Sequence, residues 1–282
     1  MGKTGSYKNF ETLRPELLER KITDFRNMGL GKIVVVADFD GTLSVAAGPN
    51  RKYMTTFGTA KLHLGPEHEA RSVELYDYYH QFEYASDIPD RERMKKMRSW
   101  CQRSMSLIVE YGFSRKTIKR IVEERNIIPR KGLSQFFANL ERYNVPTWLV
   151  SAGLGDIIQE FILSYSKASN IRIHSNFFDF NGIGLSTGFD KDRNVFIHNK
   201  HKSLKQEDRY IKDTSSRPLL VVLGDSVDDL EVIQDRKNCI SIGFLEDDIE
   251  MRRNEFLENF DLVLQGRQSF SPVLDLLARF LS

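Results

Sequence analysis

The chain has 282 residues, of which 40% are hydrophobic and 28% charged, and its formal net charge is +2 at pH 7. This length allows one large domain or a core with a smaller insert, and we expect the latter. The nearly balanced charge gives no strong field toward nucleic acid or a membrane surface, so charge does not identify a partner, and no nucleic acid is expected.

The two cysteines, Cys101 and Cys239, form no C-x-x-C pair, which indicates a reducing compartment and favours the cytoplasm. No apolar run reaches the ~20 residues of a membrane span, and the amino-terminal region has no signal-peptide core. We therefore expect a soluble protein, and a monomer. The opening MGKTGS fits an acylation pattern in which Gly2 would carry a myristoyl chain, and a single chain would give only weak membrane contact.

The first predicted sheet strand is the β-branched run Ile33-Val34-Val35-Val36. A short, continuously apolar run of this kind is typical of a strand buried on both faces of a parallel sheet. It leads directly into the polar stretch DFDGTLS, residues 38–44.

The next segment, residues 46–130, is rich in Glu, Arg, Lys, Met and Tyr and lacks long β-branched runs, which predicts several helices. It lies between the first and second predicted sheet strands, so it would form a cap over the carboxyl ends of the strands, where open α/β sheets bind ligands. The predicted domains are a catalytic core, residues 1–45 and 131–282, and a helical cap, residues 46–130.

Two later runs repeat the design of the first strand. Residues 145–150 lead into Ser151-Ala152-Gly153, and residues 219–223 lead into Gly224-Asp225-Ser226. Apolar residues at helical spacing from Leu154 to Tyr165 predict an amphipathic helix after the second strand. The repeated order of strand, polar turn and helix predicts an α/β fold with a Rossmann-like parallel sheet. Weaker signals predict strands near residues 171–174, 239–242 and 261–264, a hairpin at Asn181-Gly182 and a closing helix from Ser271.

The aspartates after the first strand suit phosphate-ester hydrolysis, which needs a nucleophile, a cation and an acid for the leaving oxygen. Asp38 can attack phosphorus and form an acyl phosphate. Asp40, two residues later, would point the same way, protonate the leaving alkoxide and later take a proton from water. Gly41 allows a tight turn whose N–H groups can face the phosphate, and Thr42 adds a hydroxyl to the site.

The same region predicts a magnesium site. Mg²⁺ prefers oxygen ligands and keeps several waters, so two or three protein oxygens are enough. We expect these from the carboxylates of Asp38 and Asp225 and the backbone carbonyl of Asp40. Asp229 could hold the waters of the metal, with Asp228 as the neighbouring alternative.

Two further groups are candidates for binding the phosphate. The Ser151 hydroxyl, together with the N–H of Ala152, can hydrogen-bond phosphoryl oxygens, and the Lys200 ammonium can neutralise the charge shared between phosphate and Asp38.

With these motifs the sequence resembles the haloacid dehalogenase superfamily of phosphatases, whose four motifs match residues 38–42, Ser151, Lys200, and residues 224–226 with Asp229. More narrowly, it is similar to the pyrimidine 5'-nucleotidase family, in the cytosolic 5'-nucleotidase III group that also has 7-methylguanosine-phosphate-specific members. The matching stretches are DFDGTLS at 38–44, SAGLGD at 151–156, SNFFDF at 175–180, NKH at 199–201, LGDS at 223–226 and IGFL at 242–245.

The resemblance implies magnesium-dependent hydrolysis of nucleoside 5'-monophosphates, with CMP and UMP favoured. It also implies that Glu83 and Ser104 in the cap contact the nucleotide, together with Ser151, Ala152 and Lys200. The sequence departs from the family at residues 45–61 and at 202–203, where Lys-Ser replaces a common Asp-Gly. Because the cap would read the nucleobase, these departures leave the choice of base open.

For several residues, a purely structural role is the alternative to a functional one. Aspartates after buried strands also cap helices, which is the role we expect for Asp156. The spacing of Tyr76, Tyr79 and Phe82 is typical of a helix-bundle core, whereas Trp100 could stack on a base. His198 and His201 have no third partner at zinc-ligand spacing, which favours structural roles.

The sequence also leaves two alternative functions open. One is a phosphatase or phosphotransferase acting on 7-methyl-GMP or another small phosphomonoester. The other is a non-catalytic protein that binds a phosphorylated partner. The intact pair of Asp38 and Asp40 argues against the second, because a binding protein needs no second acid.

Overall fold

The structure, a computed structural model, describes residues 5–7, 10–45, 55–83, 85, 87–266 and 269–281. Gly2 and residues 46–54 of the divergent segment lie outside these residues, so the predictions that concern them stay predictions.

The strands are β1 (Gly5–Tyr7), β2 (Phe10–Thr12), β3 (Ile33–Ala37), β4 (Ser44–Val45), β5 (Ile128–Pro129), β6 (Thr147–Leu154), β7 (Ile171–Asn176), β8 (Phe178–Phe180), β9 (Ser186–Phe189), β10 (Leu219–Gly224), β11 (Cys239–Leu245) and β12 (Leu262–Gln265). The helices are α1 (Pro15–Met28), α2 (Thr56–Leu64), α3 (Pro66–Tyr79), α4 (Asp90–Glu110), α5 (Arg115–Glu123), α6 (Leu133–Arg142), α7 (Gly155–Leu163), α8 (Lys200–Leu204), α9 (Asp208–Ser216), α10 (Ile249–Asn259) and α11 (Ser271–Leu281).

The central sheet has the strand order β1-β2-β12-β11-β10-β3-β6-β7. The strands from β12 to β7 run parallel, β2 is antiparallel to β12, and β1 is antiparallel to β2. The predicted α/β fold with a mainly parallel sheet is confirmed.

Helices cover both faces of this sheet, which explains why β3 is apolar at every position. Val34 and Val36 join a buried cluster with side chains of α8, α9 and α10. Ile33 and Val35 point to the opposite face and pack with α1, α6, α7 and α11. Because successive strand side chains alternate in direction, an all-apolar strand is what two covered faces require.

Helices α2 to α5 lie between β4 and β5, which pair antiparallel with Ser44 opposite Pro129. This pair marks where the chain leaves the sheet for the helices and where it returns. Buried side chains of these helices, such as Met105 and Ile121, belong to the same apolar cluster as the sheet, and Phe113 contacts Phe178 of the β8–β9 hairpin. The helices lie where the cap was predicted, and its boundaries at residues 46 and 130 stay predictions.

In the described part of the chain, none of the helices combines the length and the apolar composition needed to cross a membrane.

Candidate active site

The carboxyl ends of β3, β6 and β10 meet under the helices α2 to α4. Since β6 and β10 lie on opposite sides of β3, the strand order reverses at this point, which is where open α/β sheets form ligand crevices. A cavity of about 790 Å³ opens here. Its lining includes eight of the predicted site residues, which are Asp38, Asp40, Glu83, Ser104, Ser151, Ala152, Lys200 and Asp225.

Asp38 follows the last residue of β3, and its N–H donates to the Leu223 carbonyl of β10 at 3.0 Å. Its side chain is only 9% exposed, and Lys200 Nζ donates to Oδ1 at 2.8 Å. Burial raises the pKa of Asp38 well above its usual value, against the opposing effect of the Lys200 ammonium. The carboxylate thus lies in a setting that needs further positive charge to stay ionised.

Asp225, at the end of β10, lies directly against the loop that follows Asp38. A Cβ on Gly41 would come within 2.3 Å of the Asp225 Oδ2 atom, so only glycine fits at this position, where φ is +80°. Burial raises the pKa of Asp225 to about 7, with the charge of Asp229 adding to the shift.

These two carboxylates fit a hard divalent cation. Among the described residues no three His, Cys, Asp or Glu side chains are arranged around one metal position. A site of two carboxylates, one backbone carbonyl and water matches the preference of Mg²⁺ for a partly hydrated octahedron. A bound cation would also add positive charge beside both buried carboxylates.

Asp40 is held by the first residue of α2. Thr56 donates its N–H to Oδ1 at 3.1 Å and to Oδ2 at 3.3 Å, and its hydroxyl lies 3.1 Å from Oδ2. Burial raises the pKa of Asp40 to about 6, although the hydrogen bonds from Thr56 oppose the shift. A carboxyl group with this pKa can both give and take a proton near neutral pH.

Lys200 bridges two carboxylates. Its Nζ lies 2.8 Å from Asp38 Oδ1 and 2.5 Å from Asp229 Oδ1. These two negative neighbours hold the pKa of Lys200 above its usual value despite its burial, so the ammonium stays charged.

Asp229 was predicted as a metal residue, and the structure places it behind the cavity rather than in its lining. It is 1% exposed, its Oδ1 pairs with Lys200, and its Oδ2 accepts the N–H groups of Asp225 and Ser226, both at 3.1 Å. Although burial opposes it, the Lys200 ammonium lowers the pKa of Asp229 to about 2. Since both oxygens already have partners, the geometry favours a role in orienting Lys200 and the Asp225 loop.

Two expectations about the loop after Asp40 are corrected. The N–H of Gly41 donates to Ser44 Oγ at 3.3 Å and that of Thr42 to the Phe39 carbonyl at 3.3 Å, so both bond within the turn. The Thr42 side chain is fully buried and does not line the cavity. The turn is tight, as predicted, and it directs these groups inward.

Ser151 and Ala152 lie in β6, where the strand meets α7. The hydroxyl of Ser151 accepts the N–H of Gly153 at 3.0 Å, and its residue is 2% exposed. Asn176 supports this turn from β7 because its amide donates to the carbonyls of Ala152 and Gly153 at 2.9 and 3.1 Å. Ser151 is therefore held at the cavity wall, and none of the residues that the structure describes accepts its hydroxyl proton.

Asp156 lies in the first turn of α7, as expected. It also accepts the N–H of Phe178 at 2.8 Å, which ties the helix to the β8–β9 hairpin.

Further lining residues of the cavity come from α3, α4 and the turn that follows α3. Glu83 is 6% exposed, and burial raises its pKa, against the opposing effect of His80. Trp100 and Tyr76 line the same cavity. Tyr76 is 42% exposed, whereas Tyr79 is buried and stacks against Trp100, so the expected core role holds for Tyr79 and not for Tyr76.

Arg130 was missed by the sequence analysis. It is 1% exposed, and its guanidinium donates to the Thr42 carbonyl at 2.6 Å, to the Gly41 carbonyl and to Glu246 at 2.6 Å. It thereby fixes the loop after Asp40. A single arginine after a helical segment gives no local signal of this contact.

Comparison with known proteins concerns the family of the chain rather than its individual site residues. A model of the pyrimidine 5'-nucleotidase (UMPH-1) family matches residues 42–281. The 7-methylguanosine phosphate-specific 5'-nucleotidase B of Xenopus laevis is 29% identical over 92% of this chain and 91% of its own length. The Homo sapiens 7-methylguanosine phosphate-specific 5'-nucleotidase is 28% identical over 95% of this chain and 91% of its own.

Two solved structures are also similar to this chain. Cytosolic 5'-nucleotidase IIIB bound to cytidine superposes with a TM-score of 0.83 and 26% identity, covering 98% of this chain and 95% of that one. A phosphoserine phosphatase, solved as an analogue of its phospho-aspartyl intermediate, matches with a TM-score of 0.51 and 14% identity, a likeness of fold alone.

Proposed function

The chain belongs to the pyrimidine 5'-nucleotidase family, and we propose that it hydrolyses nucleoside 5'-monophosphates in a magnesium-dependent reaction through an aspartyl phosphate on Asp38. One observation carries the proposal. The phosphate-handling residues Asp38, Asp40 and Lys200 line the same cavity as Glu83 and the aromatic rings of Tyr76 and Trp100 from the inserted helices. Phosphate and base can thus be bound in one space.

In the first step a carboxylate oxygen of Asp38 forms a bond to phosphorus, and the electron pair of the P–O5' bond passes to O5'. Asp40 gives its proton to O5', so that the nucleoside leaves as an alcohol. In the second step water attacks the phosphorus, Asp40 takes a proton from it, and Asp38 is regenerated as phosphate leaves.

Other groups hold the phosphate during both steps. Lys200 donates to Asp38 and can neutralise charge shared between phosphate and carboxylate. Ser151 can donate its hydroxyl to a phosphoryl oxygen. Asp38, Asp225 and the Asp40 carbonyl would hold Mg²⁺, which when bound offsets the charge on the phosphoryl oxygens.

Pyrimidine nucleotides are the first candidates for the substrate, as the family name implies. The cytosine of CMP carries an exocyclic amino group that can donate to the buried Glu83 carboxylate, and Ser104 lines the same cavity. The aromatic side chains of Trp100 and Tyr76 can pack against a base.

A second candidate is 7-methyl-GMP. Several relatives are named for this nucleotide. The positive charge of its base would favour a site with a buried carboxylate and aromatic walls, as Glu83 and Trp100 provide.

We further propose that the protein acts in the cytoplasm, where its unpaired thiols, Cys101 and Cys239, would stay reduced. The monomeric state stays a prediction.

Phosphate release from CMP, UMP, AMP, GMP and 7-methyl-GMP, measured with Mg²⁺ and with a chelator, tests the function. We expect turnover of CMP or 7-methyl-GMP with Mg²⁺ and none with the chelator. If all five nucleotides are inert while phosphoserine or a sugar phosphate is hydrolysed, the proposed substrate class is wrong.

Glu83→Gln tests the proposed contact between Glu83 and the base. We expect it to raise KM for the preferred nucleotide by about tenfold, because a buried charge-assisted hydrogen bond is weakened. The rate of p-nitrophenyl phosphate hydrolysis should not fall. Glu92→Gln, an exposed change on α4, is the matched control and should leave both substrates unchanged.

A further inference from the structure

Thr56 reaches from the inserted helices into the catalytic groups. It is the first residue of α2, and its side chain is fully buried. Both its N–H and its hydroxyl lie within hydrogen-bond distance of the Asp40 carboxylate, at 3.1 to 3.3 Å. Thus a residue outside the sheet, 16 positions after Asp40, is its direct partner.

The direction of the hydroxyl bond follows from a second contact. The backbone N–H of Leu154 donates to Thr56 Oγ1 at 3.0 Å. An N–H can only donate, so Oγ1 accepts there, and its own proton is left for Asp40 Oδ2. The hydroxyl therefore links the turn between β6 and α7 to Asp40.

The turn is shaped to admit this hydroxyl. A Cβ on Gly153 would lie 2.3 Å from Thr56 Oγ1 and 3.2 Å from Asp40 Oδ2. No side chain larger than hydrogen fits there while Thr56 stays in place. Gly153, Thr56 and Asp40 thus form one packed unit.

We propose that Thr56 is a positioning residue for Asp40, a role that rests on the proposed function of Asp40 as proton donor. The Thr56 hydroxyl donates to Oδ2 and its N–H to both oxygens, so these bonds fix the orientation of the carboxyl group that transfers the proton. When that proton passes to O5' of the leaving nucleoside, the carboxylate that forms keeps both donors of Thr56. Since Thr56 belongs to α2, the orientation of the acid depends on the packing of the inserted helices against the sheet.

Leaving-group dependence separates this role from a structural one. A nucleoside leaves as an alkoxide that needs a proton, whereas p-nitrophenolate leaves without one. We would measure formation of the phosphoenzyme in single turnovers with CMP or 7-methyl-GMP, whichever turns over faster, and with p-nitrophenyl phosphate.

Thr56→Val removes the hydroxyl at constant shape. We expect the nucleotide step to slow by about tenfold, a fraction of the ~10²–10⁴ of a general acid, since the N–H of Thr56 remains. KM for the nucleotide should stay within about twofold and the p-nitrophenyl phosphate step within about threefold. Thr56→Ala should show the same pattern should the valine variant fold poorly, and Thr56→Ser should restore the nucleotide rate.

Thr59→Val is the matched control. Thr59 is equally buried on α2, and its hydroxyl donates only to the Thr56 carbonyl, at 2.9 Å. We expect both substrates to react with this variant at the wild-type rate.

The Asp40→Asn variant separates the proposed positioning role of Thr56 from the proposed role of Asp40 as proton donor. Suppose that Asp40→Asn slows phosphoenzyme formation only from the nucleotide, whereas Thr56→Val slows it equally from both substrates or from neither. The proposed role of Thr56 is then wrong, and that of Asp40 stands. If Asp40→Asn slows both substrates equally, Asp40 is not the proton donor, and both proposals are wrong.

Discussion

Asp229 illustrates how a single carboxylate can act through its neighbours. It shares Lys200 with Asp38 and binds the two N–H groups that begin the loop of Asp225. Even Gly224 is adapted to it, because a Cβ there would lie 2.2 Å from Asp229 Oδ2. A group held this firmly is suited to fix other groups rather than to bind a metal directly.

Asp229→Asn and Asp225→Asn should therefore differ in their magnesium dependence. For Asp229→Asn we expect kcat to fall by about 10- to 100-fold, because Lys200 loses its orientation, with the Mg²⁺ half-saturation changing by less than about threefold. For Asp225→Asn we expect the half-saturation to rise by more than about tenfold, because a direct ligand loses its charge. Activity measured over a Mg²⁺ titration of each variant checks this. Equal rises in half-saturation would make Asp229 a metal residue after all.

Among the secondary-structure elements, α1 is fixed to the sheet by a buried ion pair. Lys21 Nζ contacts both oxygens of Asp261, at 2.7 and 2.8 Å, and Asp261 also accepts from Ser241 of β11. The pair lies at the amino ends of β11 and β12, whereas the cavity lies at the carboxyl ends of the sheet strands. It therefore concerns stability and not catalysis.

Lys21→Met should lower the free energy of unfolding by about 3–5 kcal/mol, because Asp261 is left buried without its cation. Urea unfolding measures the change, and kcat of the folded variant should stay near the wild-type value. The double variant Lys21→Met/Asp261→Asn should recover part of the loss, since a neutral amide can still accept from Ser241. Lys32→Met, an exposed control, should change stability by less than about 0.5 kcal/mol, and an equal loss in both lysine variants would contradict the account.

The elements that sequence predicted well are those whose signal is local. The strand before Asp38, the strand at 219–223, the helix after Gly153 and the hairpin at Asn181-Gly182 formed where apolar patterns and turn residues placed them. The strand predicted at 145–150 formed later in the chain, at Thr147–Leu154, and it includes the three residues 151–153 that were predicted as a turn. The β1–β2 hairpin and the β4–β5 pair were not predicted. Two- and three-residue strands carry too few side chains to show a period, and their pairing is decided by tertiary contacts.

The candidate site shows the same limit. Asp38, Asp40 and Asp225 follow buried strands, so the sequence marked them and the fold brought them together. Thr56 and Arg130 carry no such mark. Arg130 lies 89 positions from the Gly41 carbonyl it holds, and a contact of that separation exists only after folding.

For the protein as a unit, buried neutral histidines make stability depend on pH. Burial lowers the pKa of His174 to about 4, and its side chain is 10% exposed. The unfolded chain binds a proton near the ordinary pKa of about 6.5, before the folded protein does. The contribution of His174 is therefore complete above that pH and is lost as the pH falls toward 4.

His174→Gln should make this dependence smaller. The amide can keep the hydrogen bond to Ser203, which lies 2.8 Å from His174 Nε2, and it does not titrate. Urea unfolding at pH 7.5, 6 and 5 should show the wild type losing stability relative to the variant, by up to about 3 kcal/mol at the acidic limit. Parallel curves for the two proteins would contradict a neutral buried His174.

Attack of Asp38 on phosphorus can be detected by trapping the phosphoenzyme. The protein is mixed with its preferred nucleotide carrying a labelled phosphate, in Mg²⁺, quenched in acid and digested, and the labelled peptide is identified. We predict label on the peptide that contains Asp38 in the wild type. For Asp38→Asn we predict no label and a kcat lower by roughly a thousandfold or more. Full magnesium-dependent phosphate release by Asp38→Asn, or label on another residue, would contradict the account.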